Sequence, residues 1–129
     1  MSKTRSQKAL IRKTDKLWSF LTKTLWKREK SDICPWCNKQ KIHASDHIIS
    51  RRHRATRWEL SNFVPLCVGC HMYRKQYDPM EWALFVLETK GADVVSRLVS
   101  KSRLTPKPTD YWLAYLELVK KEFIDCKVI

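Results

Sequence analysis

The sequence of 129 residues has no apolar run approaching the length of a membrane span, and it has no internal repeat or low-complexity tract. The N-terminus is rich in Lys and Arg but lacks the apolar stretch of a signal peptide. We therefore expect a cytoplasmic protein of one domain with appendages and no membrane partner. Acidic residues are also scarce, since 13 Asp+Glu stand against 26 Lys+Arg, and the formal net charge of +13 predicts a polyanionic partner.

The excess of positive charge is confined to the first 75 residues. Residues 1–30 carry ten basic and two acidic side chains, residues 31–75 carry eight and three, and residues 76–129 carry eight of each. This segregation favours a nucleic acid as the partner over a generally solvated basic surface. The neutral C-terminal part is aromatic, and a homodimer interface anchored by Trp82 or Trp112 is a further option there.

The N-terminal part predicts a basic amphipathic helix. From about residue 7 to residue 30, apolar side chains recur at spacings of three, four and seven, with Lys and Arg between them. We expect the apolar stripe to pack on the rest of the protein and the polar face to contact phosphates, in preference to a helix that lies on a membrane. The candidate phosphate ligands are Arg12, Lys13, Lys27 and Arg28.

Helical signals return after the middle of the chain. A helix should begin at about Cys70 or at the next residue. Another helix should follow, with Asp78 as its N-cap and Pro79 as its first residue. Residues 82–87 of this helix are expected to be largely buried. Gly91 suits the left-handed position that ends this helix.

The remaining elements are shorter or less sharply marked. A helix is expected over residues 92–100, and another after Pro108. The apolar face of the last helix consists of Trp112, Tyr115, Leu116, Val119 and Phe123. The apolar runs at residues 42–43 and 47–49 are consistent with a small hairpin.

Two Cys-x-x-Cys pairs dominate the middle of the chain, namely Cys34 with Cys37 and Cys67 with Cys70. In a reducing compartment such cysteines are metal ligands rather than disulfides. Four thiolates at this spacing suit a tetrahedral Zn²⁺, and the zinc would be structural because no coordination position stays open for chemistry. Cys126 is left over and is expected to be a free thiol.

The segment between the two pairs is longer than a plain zinc site needs. Twenty-nine residues separate Cys37 from Cys67, against a usual gap of roughly 15 to 20. This region and its flank contain Asp46-His47-Ile48, then Asn62 fifteen residues after His47, then His71 directly after the last cysteine. These motifs resemble the HNH endonuclease family, whose ββα-metal core sets a hairpin, a loop and a helix around one catalytic cation.

The same residues suit the chemistry of phosphodiester hydrolysis, which needs an activated water and a cation against the developing charge. His47 titrates near neutrality and can take a proton from water, provided that an acceptor holds its other ring nitrogen. The resemblance assigns His47 the same role. Asp46 and His71 offer ligands for Mg²⁺ or Mn²⁺ and leave positions open. The resemblance implies that Asn62 braces the loop that orients the base.

A basic loop lies between Asp46-His47 and Asn62. Its guanidinium groups are candidates for bidentate phosphate contacts, although a merely solvated loop is the alternative. The candidates are Arg51, Arg52, Arg54 and Arg57. His43 and His53 fit no required role and are expected at the surface or in packing contacts.

The flanks resemble the NinG family of phage recombination endonucleases. There too an aromatic basic helix precedes the first cysteine pair, as in residues 17–30 here, and helical regions follow the second pair, as in residues 82–98 and 111–123. This resemblance implies a role in phage or mobile-element recombination, with branched DNA as a substrate. In the core, Asp46 and His71 stand where NinG sequences usually have glycine and asparagine, which makes the site more similar to mainstream HNH enzymes.

These observations together predict an α+β protein. A small zinc-stabilised ββα-metal core, residues 31–77, would lie between a basic N-terminal helix, residues 1–30, and a C-terminal helical extension, residues 78–129, all in one compact domain. The predicted function is metal-dependent hydrolysis of duplex or branched DNA. The alternative is a non-catalytic zinc module that binds DNA or RNA, which explains the charge but leaves the four motif residues to coincidence.

Overall fold

The computed structural model describes residues 3–125 and consists of helices around one short sheet. In chain order the elements are α1 (Arg5–Glu29), β1 (Ala44–Asp46), β2 (Val64–Leu66), a π-helical turn (Cys70–Arg74) that continues into α2 (Lys75–Tyr77), α3 (Pro79–Lys90), α4 (Ala92–Ser102) and α5 (Thr109–Phe123). The two strands pair antiparallel. The predicted mixture of helices with a small sheet is therefore confirmed.

Helix α1 follows the amphipathic pattern of the sequence. Its first turn is closed by a capping box, in which the Thr4 hydroxyl accepts from the Gln7 N–H and the Gln7 side chain accepts from the Thr4 N–H. Its buried residues are Ile11, Thr14, Trp18, Leu21 and Thr22. This stripe packs against α5, so the first and last helices of the described chain are in contact.

The interior contains two apolar clusters. The first lies between α1 and α5 and is completed by Trp58 and Phe63. The second surrounds the cysteines and contains Val64 and Leu66 of β2 together with Phe85 of α3. Because Phe63 directly precedes Val64, the start of β2 joins the two clusters. Trp58 is fully buried, and truncation of such a side chain costs about 3–5 kcal/mol.

The predicted hairpin is wrong. Residues 42–43 and 47–49 flank β1 and do not pair with each other, whereas Ala44 lies opposite Leu66 and Asp46 opposite Val64. Local apolar runs indicate an extended conformation but not its partner. Here the partner is the fully buried β2 on the far side of the loop 47–63.

Helix α3 differs in two respects from its prediction. Asp78 stands at the N-cap before Pro79, but its side chain makes no capping hydrogen bond. Residues 82–87 are only partly buried, since Leu84 is 59% exposed and Leu87 is 42% exposed. A segment that is apolar on all sides does not indicate which face will be covered. Gly91 has the predicted positive φ, 89°, but its ψ of 149° is extended rather than left-handed helical.

Helix α5 buries a narrower face than the sequence predicts. Trp112, Leu116 and Val119 are buried, while Tyr115 and Phe123 are exposed. Trp112 therefore belongs to the core of the protein. Among residues 3–125, none of the helices has both the length and the apolar character that a membrane crossing requires.

Candidate metal centre and active site

The four predicted cysteines converge on one point. Their Sγ atoms all lie within 4.8 Å of one another, and none of the four forms a disulfide. The Sγ atoms of Cys37 and Cys67 are 3.7 Å apart, close to the ~3.8 Å edge of a tetrahedron with Zn–S bonds of about 2.3 Å. The arrangement could hold a metal ion and is consistent with structural zinc. Cys126 lies outside the described residues.

Local structure places each cysteine pair. In the first, Asn38 adopts a left-handed conformation with φ of 57° and donates its N–H to the Cys34 carbonyl at 2.9 Å. In the second, the chain leaves β2 and turns into the π-helical segment, where the Cys70 N–H points at Cys67 Sγ at 3.4 Å. A metal ion would therefore connect the first loop to the strand and to the helix that follows it.

The thiols of the cluster differ in acidity. Burial raises the pKa of Cys34 and of Cys70. Burial also raises the pKa of Cys37, but backbone donors from Gln40 and Lys39, together with contacts to the thiols of Cys67 and Cys34, lower that pKa to about 6. An incoming cation would meet a thiolate at Cys37 and would have to displace protons from Cys34 and Cys70.

A cleft of about 570 Å³ lies beside β1 and receives residues from α1, the central loop and the helical segment after the cysteines. Three of the four predicted HNH-type residues line it, namely Asp46, His47 and His71. Four further side chains line it that were not predicted as site residues, namely Asp15, Trp18, Lys75 and Trp82.

Asp46 and His71 are in direct contact. Asp46 ends β1 and is 7% exposed, and its Oδ2 is 3.2 Å from His71 Nδ1. Within residues 3–125, the cysteines form the only group of three or more potential metal ligands among His, Cys, Asp and Glu. A cation on Asp46 and His71 would therefore take its other ligands from water and phosphate, as Mg²⁺ commonly does.

Lys75 is the main addition that the structure makes to this pair. Its Nζ lies 2.9 Å from Asp46 Oδ1 and 4.9 Å from the ring centroid of Trp82. The Asp46 carboxylate is thus shared between an imidazole and an ammonium group. The sequence contained a signal, because Lys75 follows His71 by four residues and would share its face on a helix.

The ring of His47 is oriented by a hydrogen bond to the backbone. Its Nε2 lies 2.8 Å from the carbonyl oxygen of Arg57. A carbonyl only accepts, so Nε2 carries the proton and Nδ1 keeps its lone pair. Burial lowers the pKa of His47, although the hydrogen bond to Arg57 and the charges of Asp15 and Asp46 act in the opposite direction. The imidazole is therefore biased towards its neutral form.

Asn62 is completely buried and connects both ends of the central loop. Its Oδ1 accepts the N–H of Ile49 at 2.8 Å, and its Nδ2 donates to the carbonyl of Ile49 at 3.1 Å and to that of Thr56 at 3.0 Å. These bonds fix the backbone directly after His47 and directly before Arg57. The amide is outside the cleft lining, and its position fits a brace rather than a ligand.

Arg57 has a different environment from the one expected for a phosphate ligand. Its Nε and Nη2 donate to Asp15 Oδ1 and Oδ2 at 3.0 and 2.7 Å, and its side chain is 13% exposed. This bidentate pair occupies the Nε–Nη2 edge of the guanidinium, so that edge is not available to a phosphate. The side chain therefore connects the loop to α1.

The other loop arginines remain nearer to solvent. Arg51 and Arg52 are exposed, and Arg51 lines the cleft. Arg54 is half-buried and donates to the hydroxyl of Thr109 at 3.1 Å. The two histidines without an assigned role, His43 and His53, are exposed.

Most of the candidate phosphate ligands on α1 have partners within the chain. Lys13 lies 3.9 Å from a carboxylate of α5, Lys27 lies 3.4 Å from one in the segment after α1, and Arg28 donates to a carbonyl at the end of α5. Arg12 is exposed. A groove along α1 shares Ser19 with the cleft and is lined by Lys16, Lys23 and Lys27. Lys16 and Lys23 thus line a groove that adjoins the cleft.

Comparison with protein-family models, curated proteins and solved structures finds no match for this chain. Any function must therefore be argued from the motifs and from the geometry of the cleft.

Proposed function

We propose that the protein is a metal-dependent endonuclease that hydrolyses phosphodiester bonds in DNA. The observation that carries this proposal is the convergence of Asp46, His47 and His71 in one cleft. In addition, Nε2 of His47 donates its proton to the carbonyl of Arg57, which leaves Nδ1 as the basic nitrogen of the ring. Each of these residues, taken alone, could have a purely structural role. Together they supply a base and two cation ligands beside a basic surface.

In this proposal each residue of the cleft has a separate role in hydrolysis. Asp46 and His71 would hold Mg²⁺ or Mn²⁺, whose charge would offset the charge that develops on the phosphate. His47 would accept a proton from water at Nδ1, while Arg57 keeps Nε2 occupied through its backbone. Asn62 would preserve this geometry through its three bonds to the loop. Lys75, whose Nζ lies 2.9 Å from Asp46 Oδ1, would add a positive charge beside that cation.

The cysteine cluster would hold zinc with a structural role. Four thiolates close the tetrahedral shell and leave no position for water or phosphate. The bound metal would fix the start of the helical segment that carries His71, because its ligand Cys70 is the residue directly before His71. Zinc would thus support the catalytic cleft without taking part in hydrolysis.

Nucleic acid is the substrate that the surface favours. The formal charge of +13 supplies long-range attraction for a polyanion. Arg51 at the cleft and the lysines of the α1 groove offer contacts along a phosphate backbone. The HNH resemblance supports DNA as the substrate, and the NinG resemblance supports a role in phage or mobile-element recombination, on duplex or branched DNA.

The test is cleavage of matched supercoiled, linear and four-way-junction DNA by the purified full-length protein with Mg²⁺ or Mn²⁺. We expect cleavage that depends on the cation and stops on chelation, and the three rates will rank the substrates. Tight binding to all three substrates without cleavage under either cation would refute the nuclease. The non-catalytic zinc module would then be the correct interpretation.

A further inference from the structure

We infer that Trp18 and Asp15 of α1 are positioning residues for His47, so that the N-terminal helix belongs to the catalytic centre. The effect on turnover rests on the proposed nuclease function. The positioning itself is a geometric relationship and can be measured without turnover.

Trp18 fixes the plane of the His47 ring. The indole and imidazole are stacked, with centroids 4.1 Å apart and an interplanar angle of 10°. The indole is itself anchored, because it is 2% exposed and its Nε1 donates to the carbonyl of Glu59 at 2.8 Å. A stacked neighbour restricts tilting of the imidazole, but it does not decide which ring nitrogen faces the cleft.

Asp15 completes the restraint through Arg57. Its Oδ1 accepts from Arg57 Nε and, at 2.8 Å, from Trp58 Nε1, while its Oδ2 accepts from Arg57 Nη2. Two consecutive residues are thus tied to one carboxylate. The carbonyl of Arg57, which takes the proton of His47 Nε2, lies between these two tied side chains. Asp15 therefore determines which nitrogen of His47 is occupied.

Both restraints come from the same turn of α1. Asp15 and Trp18 are three residues apart, a spacing that places them on one helix face. One turn further on, the hydroxyls of Thr22 and Ser45 are 2.7 Å apart, which ties α1 to β1 one residue before Asp46. The helix is thus held in register with the strand that leads into His47.

The chemical consequence concerns the tautomer of His47. With the plane set by Trp18 and the Nε2 proton donated to the carbonyl of Arg57, the lone pair of the neutral ring stays on Nδ1. Loss of either restraint allows the ring to rotate or to exchange its proton between the nitrogens, and only part of the population then remains productive. The fall should therefore appear in kcat and leave KM nearly unchanged.

The experiment uses full-length variants and reads the ring directly. The variants are Trp18→Leu, Trp18→Phe and Asp15→Asn, with Trp26→Leu and Asp32→Asn as matched controls. Trp26 lies on the same helix and packs on the same core cluster, but its ring meets Phe63 edge to face and does not contact His47. Asp32 pairs with Lys27 at the surface. The ¹⁵N shifts of the His47 ring nitrogens, recorded where the ring is neutral, report the tautomer, and steady-state cleavage reports kcat and KM.

We expect the Nε2–H tautomer in the intact protein and in both controls, and a mixture in Trp18→Leu and Asp15→Asn. Trp18→Phe should recover most of the intact pattern because an aromatic face remains. The kcat of Trp18→Leu and Asp15→Asn should fall by about 10- to 100-fold, the range for residues that orient a functional side chain. Should Trp18→Leu fail to fold, Asp15→Asn decides the question, because Trp18→Phe retains an aromatic face against His47.

An unchanged tautomer in the two test variants would overturn the inference, and so would a changed tautomer with an unchanged kcat in an active enzyme. If the intact protein cleaves no DNA, the nuclease proposal is refuted, but the positioning of His47 is not. A tautomer shift confined to the test variants would still support the positioning role in that case.

Discussion

Nδ1 of His71 lies 3.2 Å from Oδ2 of Asp46, although 25 positions separate the two residues in the chain. The pairing of β1 with β2 and the π-helical turn after β2 create this contact. Cys67 and Cys70 lie between β2 and His71. Any metal that they bind would therefore also determine where His71 meets Asp46.

Removal of His71 should abolish most of the proposed activity and leave the fold intact. The side chain is half-buried in the cleft, so His71→Ala removes a cation ligand without opening a core cavity. We expect a fall in cleavage rate of ~100-fold or more at a fixed Mn²⁺ concentration. His53→Ala is the control, because His53 is an exposed histidine. Equal rates in the two variants would exclude His71 as a ligand.

The cysteine cluster should bind one zinc ion per chain. Cys34 is fully buried, and we expect Cys34→Ser or strong chelation to remove the zinc and unfold the core. Metal analysis with far-UV circular dichroism measures both effects, and Cys126→Ser should retain the metal. Mild removal of Mg²⁺ should leave both the fold and the bound zinc unchanged. Unfolding or loss of zinc under this treatment would contradict the existence of two separate metal sites.

Asn62 should contribute to stability as well as to geometry. Asn62→Ala would leave one backbone N–H and two carbonyls of the loop without their buried partner. Because each such group costs about 1–3 kcal/mol, we expect the free energy of unfolding to fall by about 3 kcal/mol. Urea denaturation measures the change, with the exposed Gln76→Ala as control. A loss similar to that of Gln76→Ala would show that the loop does not depend on the amide.

The pH dependence of cleavage should report the lowered pKa of His47. Burial disfavours the imidazolium, so the neutral base persists below the ~6.5 of a free imidazole. The kcat/KM should rise with pH, and the midpoint of this acidic limb should lie below ~6.5. The same shift makes the folded protein lose stability as pH falls from ~6.5 towards the folded pKa, because the unfolded chain binds the proton first. A midpoint above that of free imidazole would contradict the burial of His47.

Local signals account for what the sequence predicted about the fold. The spacing of apolar residues in α1 and the two Cys-x-x-Cys pairs each specify a short-range arrangement, and both appear in the structure. The pairing of Asp46 with Val64 was missed because strand partners depend on contacts between distant segments. The exposure of Leu84 was missed because α3 is apolar on more than one face.

The candidate site was predictable only in part for a related reason. Asp46, His47 and His71 could be recognised because they sit in a motif. Asp15 and Trp18 could not, since on an amphipathic helix they look like ordinary face residues. Their hydrogen bonds are made with residues 57–59, more than 40 positions away, and the ring of Trp18 stacks on His47, which also lies far from it in the sequence. The engagement of Arg57 by Asp15 depends on the same long-range packing.

The most direct test of the account is single-turnover conversion of supercoiled plasmid with Mg²⁺ by the intact protein, His47→Ala and His53→Ala. We predict that the intact protein and His53→Ala nick the plasmid at similar rates, and that His47→Ala, folded by circular dichroism, is slower by ~100-fold or more. Cleavage by His47→Ala at the rate of the intact protein would contradict the account, because the hydrolysis would then occur without the base on which the proposed mechanism depends.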